Sequence, residues 1–317
     1  MDISTTDPAR EARLAREREL AKQKRDRQRQ NPLAYSTGLA ILSAVGRYHY
    51  LSIEQVMRLH EWKSEPNVST WLKHLTAGGY LSNENFVPVG SFRPPLYWSL
   101  RQRGRLALED QGFPVRQRIH HDPKRKSWWL EHVRDLNDFL IQFELLMRVE
   151  QDTLITSFFH DLELQRRAVK LTFPDGSEHR FVPDAFIALR RNGMDDELCF
   201  CLEMDRGTER DAGRPWKEKI RAYVAFAKGP YQALFGRDRL TVLIAVRSHH
   251  QPDERRLADL LRWTEEELLA LGLKSWGKMF FFTTLHADEV DPKTFFGADA
   301  WIRPFEKTRA PLLEGVA

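Results

Sequence analysis

Between Leu39 and Leu100 the apolar residues recur three times with a helical period and then as short extended runs, which commits this stretch to three small helices and a hairpin. Leu39, Ile41, Leu42 and Val45 line one side of the first helix. Ser52 followed three residues later by Gln55 spells a capping box, and Ile53, Val56, Met57 and Leu59 give the second helix a buried stripe. In the third, Pro66 suits the first turn, Val68, Leu72 and Leu75 recur at i, i+4, i+7, and Gly78-Gly79 ends it. Tyr80-Leu81 then begins an extended segment. Phe86–Val89 and Leu96–Leu100 read as strands joined by Gly90-Ser91-Phe92-Arg93-Pro94-Pro95.

The side of the third helix opposite its apolar stripe carries Asn67, Thr70, Lys73 and His74, short hydrogen-bonding groups and small cations at helical spacing. Such a surface can reach base edges and phosphates in a major groove. Arg93 lies near the hairpin tip, and Arg101 and Arg103 follow on the return strand and next helix, placed for phosphate contact. This order of elements resembles the winged helix-turn-helix, here spanning residues 35–119, and the resemblance implies double-stranded DNA as partner. The charge distribution agrees. Residues 1–127 hold 22 Lys and Arg against 13 Asp and Glu, a net +9; residues 128–317 hold 27 against 32, a net −5, within an overall +4.

Residues 1–34 are read as a basic arm, helical or disordered, with Lys22, Lys24, Arg25, Arg27 and Arg29 at its end. Its opening, MDISTTDPAREARLARERE, is too charged for a secretory leader, and no run approaches the roughly 20 apolar residues of a membrane helix. A soluble cytoplasmic protein without a membrane partner is expected. Residues 120–127, with His120-His121 and Pro123, are read as a solvated linker. Cys199 and Cys201, the chain's two cysteines, suit neither a disulfide framework nor a four-ligand zinc site and are expected to fill a core.

Residues 128–317 alternate helix and strand: a long apolar helix from Trp128 to about Val149, then strands at 168–173, 180–189 and 197–204, a helix at 216–227, a strand at 240–246, a helix at 254–271 and a strand at 279–284. The expectation is an α/β sandwich with the first strands antiparallel and the later ones joined by crossovers; the tail shows no pattern. Within it stands Pro183-Asp184 and, one hairpin later, Glu203-Met204-Asp205-Arg206-Gly207-Thr208-Glu209. Residues two apart share a strand face, so Glu203 and Asp205 project together and the hairpin can bring Asp184 beside them. Three converging carboxylates would attract Mg²⁺ or Mn²⁺ and activate water against a phosphodiester. Alternatively, Asp205 and Glu209 pair with Arg206, Arg210 or Arg214 and hold the strand-to-helix corner, with Gly207 supplying the turn.

Pro-Asp, a hairpin and a Glu at a strand end resemble the PD-(D/E)xK nuclease fold, which implies Asp184 and Glu203 as metal ligands and Glu144 as a further acid. Where that family places its lysine this chain has Asp205, and Lys219 or Lys217 on the next helix is the substitute. The whole layout over residues 35–250, with Pro183-Asp184, the string from Glu203 to Glu209, Lys219 and Tyr223, is similar to the replication-relaxation proteins of bacterial plasmids and other mobile elements. The fold class expected is therefore α/β (α+β): an N-terminal winged helix-turn-helix followed by a PD-(D/E)xK-like α/β sandwich. The resemblance implies a DNA-binding protein of plasmid replication, DNA relaxation or mobilisation. Replication or mobilisation proteins are the further partners, and a homodimer is left open. A Mg²⁺-dependent endonuclease using Asp184, Glu203, Asp205 and Lys219 is the alternative, and a winged-helix transcriptional regulator a further one.

Overall fold

The computed structural model describes residues 8–85, 96–113, 127–173, 176–193, 196–207 and 213–315. The chain divides into two compact units, Met1–Ser127 and Trp128–Ala317. Among the described residues no helix is long and apolar enough to cross a membrane.

The first unit runs α1 (Pro8–Gln30), α2 (Ser36–Tyr48), α3 (Ile53–His60), α4 (Glu65–Ala77), β1 (Leu81–Asn85), β2 (Leu96–Leu100) and α5 (Gln102–Asp110). The capping box forms as read: Gln55 N donates to Ser52 Oγ at 3.3 Å and Ser52 N to Gln55 Oε1 at 3.1 Å, satisfying two amides at the start of α3. Ile41, Leu42, Val45, Val56, Leu72 and Leu75 are fully buried between the three helices. Gly79, at φ +75, lets the chain double back after α4, so that Tyr80 N reaches Leu75 O at 2.9 Å. β1 and β2 pair antiparallel from Leu81 opposite Leu100 to Asn85 opposite Leu96, and Leu51 bridges to Trp98 beside them. Three helices and a hairpin make this a winged helix-turn-helix arrangement. The strand read at 86–89 and Arg93 lie outside the described residues.

The second unit runs α6 (Ser127–Val149), β3 (Thr153–His160), α7 (Asp161–Leu164), β4 (Val169–Thr172), β5 (Glu178–Phe181), β6 (Ala185–Arg191), β7 (Leu198–Asp205), α8 (Gly213–Ala227), α9 (Pro230–Phe235), β8 (Thr241–Val246), α10 (Asp253–Ala270), β9 (Phe280–Thr283), α11 (Pro292–Gly297) and α12 (Leu312–Gly315). Its sheet has the order β3-β6-β7-β8-β9, antiparallel across the first three strands and parallel across the last three. The strand expected at 168–173 is not in this sheet: among the described residues β4 pairs only with β5, and β3 takes the edge position. The expected strand at 180–189 is likewise divided. Pro183 has no N–H for the ladder, so the extended chain breaks there and β6 restarts at Ala185.

One face of the sheet, with Cys199, Cys201, Ile244 and Phe282, packs against Trp216, Ile220 and Tyr223 of α8 and Leu257 and Leu260 of α10; both thiols are buried there. On the other face Phe200 meets Phe143 of α6, ring centroids 5.7 Å apart, and Phe143 meets Phe296 of α11 at 4.8 Å. The patternless tail is therefore structural. Trp301 donates its indole N–H to Phe295 O at 2.8 Å, and its ring lies tilted against Phe139, centroids 6.1 Å apart. Phe296 is 1% exposed, so Phe296→Ala is expected to lower the stability of the second unit by about 3–5 kcal/mol in urea unfolding. An unchanged midpoint would remove the tail from the core.

Candidate functional site

In the first unit, α4 presents Asn67, Thr70 and Lys73 to solvent, while Val68, Leu72 and Leu75 hold its other side. Thr70 Oγ1 donates to Pro66 O within the helix at 2.8 Å. His74 is half-buried, edge-on to Trp71, and its imidazole is held below its ordinary pKa by burial and by the charge of Arg29 on α1. Arg101 is exposed immediately before α5. Arg103 is committed elsewhere: it donates to Gly78 O at 2.8 Å and lies 4.6 Å over the Tyr80 ring, bracing the end of α4.

In the second unit the chain brings together Asp184, Glu203 and Lys219, and adds two residues. Asp184 follows the proline break, so its backbone N–H still pairs with Leu202 O at 3.1 Å while its Oδ2 accepts from Met204 N at 2.9 Å. Its Oδ1 lies 3.5 Å from His132 Nε2 on α6. Glu203, 2% exposed, projects from β7 toward α8. Lys219 Nζ donates to its Oε2 at 2.7 Å and Tyr223 OH to its Oε1 at 2.6 Å. Lys219 and Tyr223 stand one turn apart on α8, where i and i+4 face the same way. Of the two candidate lysines it is Lys219 that reaches the site; Lys217 pairs with Glu266 at 2.8 Å.

Asp205 does not join them. It shares the strand face of Glu203, but Arg256 of α10 donates to both of its oxygens, from Nε at 2.8 Å and Nη2 at 2.7 Å. Arg256 is 2% exposed, and a buried guanidinium requires such a partner. Nor do Arg206 and Arg214 pair with Asp205 as the structural alternative supposed. Arg206 lies 2.6 Å from Glu131 and 3.1 Å from Asp135, and Arg214 pairs with Glu218. Arg210, Thr208 and Glu209 lie outside the described residues. Glu144 is buried within α6. His132 is the residue that sequence reasoning missed: nothing in its helical spacing tells it from other polar positions of α6.

Burial, with the Asp184 charge beside it, pushes the Glu203 carboxyl up to about 7 against the pull of Lys219 and Tyr223. Burial also works against ionised Asp184, but His132 and then Lys219 outweigh it and bring that carboxyl down to about 2. The His132 imidazole is lowered by burial and raised more strongly by Asp184, for a net rise. A divalent ion needs oxygens that are ionised and open. Among the described residues no group of three or more His, Cys, Asp or Glu is placed to hold one. Both Glu203 oxygens already carry donors, and Lys219 and His132 stand against the two negative charges. Asp184 and Glu203 are the carboxylates that this cluster offers to a divalent ion, and in the arrangement described Lys219, Tyr223 and His132 occupy their oxygens.

The profile of the replication-relaxation family matches residues 42–237, which runs from within α2 through α3, α4 and the hairpin of the first unit and takes in the Asp184, Glu203, Lys219 and Tyr223 cluster of the second. No curated protein matches the chain. Among solved structures, Bacillus subtilis PadR in complex with operator DNA is similar at 15% identity over 76% of this chain and 95% of that one; the TM-score of 0.22 is too low to carry fold or function across.

The raised Glu203 carboxyl has a consequence for stability. A folded glutamate that binds its proton more tightly than an unfolded one contributes stability fully present below about pH 4.5 and lost as the pH rises through about 7. Asp184 runs the other way, its contribution present above 3.8 and lost as the pH falls toward about 2. Glu203→Gln is therefore expected to stabilise the second unit at pH 8 by on the order of 1–2 kcal/mol and to flatten its stability between pH 5 and pH 8. A variant less stable than wild type at pH 8 would mean that the Lys219 ion pair outweighs burial.

Proposed function

The chain belongs to the replication-relaxation family, and on that premise we propose that it is a DNA-binding protein of a mobile genetic element, acting in plasmid replication, DNA relaxation or mobilisation. The exposed face of α4 carries this reading: Asn67, Thr70 and Lys73 project from a helix whose opposite side is locked into a three-helix core. Amide and hydroxyl groups can read base edges there, and the ammonium can neutralise a phosphate. The net +9 of residues 1–127 supplies the general attraction for the polyanion. In this reading the second unit serves binding or assembly with replication or mobilisation proteins, its carboxylates balanced internally by Lys219 and His132.

Lys219 at Glu203 favours a second reading, metal-dependent cleavage of the bound DNA, and one set of assays separates the two. Supercoiled and linear plasmid are incubated with Mg²⁺ or Mn²⁺ and wild type, Asp184→Ala or Glu203→Ala. The binding reading predicts that all three leave the DNA intact while still retaining it; wild-type cleavage abolished in Asp184→Ala would replace that reading with the enzymatic one. In fluorescence anisotropy with duplex DNA, Lys73→Ala is expected to reduce the slope of log affinity against log salt by about 0.9 and to weaken binding across all sequences. Unchanged affinity and slope would sink the assignment of α4 as the contact surface.

A further inference from the structure

α1 contributes almost nothing to the core. Every side chain described from Ala12 to Gln30 is exposed except the half-buried Gln28. A helix polar on all sides buries little of its own surface, so most of it is available for another partner. Its charge is organised. Arg18, Lys22, Arg25 and Arg29 recur at i, i+4, i+7 and i+11, which places all four within a narrow arc, about 4.5–6 Å apart over roughly 16 Å of axis. Among the described residues no carboxylate pairs with Arg18, Lys22 or Arg29, whereas across the helix Arg13 lies 3.7 Å from Glu17. Asp26 is the sole acid in the last ten residues of α1. The stripe also has a location. α1 runs beside α4, and the Arg29 charge is felt at His74 on α4. Arg29 thus places its positive charge beside the exposed face of α4.

We propose that α1 is a phosphate rail: its Arg18, Lys22, Arg25 and Arg29 stripe lies along the duplex backbone beside the site contacted by α4. This rests on the DNA-binding reading and adds to it a sequence-independent contact that lengthens the footprint. A duplex suits the stripe because it presents one negative charge per about 1.7 Å of axis. A lipid surface suits it poorly, because an interfacial helix needs an apolar face and α1 has only the scattered Leu14 and Leu20.

The test uses the full chain, a fluorescein-labelled mixed-sequence duplex and anisotropy titrations over a range of KCl concentrations. The R18Q/K22Q/R25Q/R29Q variant is expected to lose about 3–4 from the slope of log affinity against log salt, roughly 0.9 per contact. R18K/R25K/R29K should keep the slope, and R13Q/R16Q/K24Q/R27Q, on the opposite arc, should change it much less. Coincident thermal transitions establish that the variants fold. A full slope in the stripe variant while Lys73→Ala still lowers its own overturns the rail and leaves the DNA-binding reading intact. Equal losses from the two arcs overturn the face assignment. Sedimentation with phosphatidylserine vesicles that depends on the stripe would reassign α1 to membranes, and a wild type that binds no duplex overturns the rail together with the function it rests on.

Discussion

The second unit turns on the ion pair between Asp205 and Arg256. Arg256 is almost wholly buried, and removing one member of a buried pair strands the other at a cost of about 3–5 kcal/mol. Around this clamp the end of the sheet is built. Gly207 N donates to Asp205 Oδ1, and Gly207 adopts a positive φ where a Cβ would meet Ser248 Oγ at 2.5 Å. Arg247 N donates to Asp205 O, which ties the exit of β8 to the exit of β7. The next residue, Arg206, reaches Glu131 and Asp135 of α6. Two consecutive side chains thus fasten the sheet end to α10 and to α6. The clamp also decides the chemistry next door, because it withdraws the third carboxylate and leaves Asp184 and Glu203 to be balanced by His132 and Lys219.

Much of the first unit was legible because its signals are local. The Ser52 and Gln55 box, the Val68, Leu72 and Leu75 stripe and the Gly78-Gly79 stop each lie within a few residues of the feature they determine. In the second unit the family resemblance pointed to a lysine of the following helix, Lys219 or Lys217, and only the packing of α8 shows that it is Lys219 that reaches Glu203. The fate of Asp205 was not legible, because its partner lies 51 residues further on. β3 escaped notice for a related reason: its alternation is interrupted by a register shift between Ile155 and Ser157, so no clean period-two pattern exists. Phe295, Phe296 and Trp301 show their role only when α6 is packed against them.

In the proposed function the two units divide the labour. Locally encoded helices in the first unit present a polar, cationic surface, and the rail on α1 extends it. The second unit commits Asp205, Arg206 and Arg256 to holding itself together, with the Glu203 carboxyl raised to about 7 by burial. A chain built this way would be directed to DNA by one unit and would offer the other to proteins of replication or mobilisation.

Hydrogen–deuterium exchange of the full chain with and without duplex DNA tests this division most directly. The account predicts slowed exchange in residues 65–77 of α4 and 8–30 of α1, with amides of the second unit unchanged. Protection confined to residues 128–317, with α4 unaffected, would contradict it.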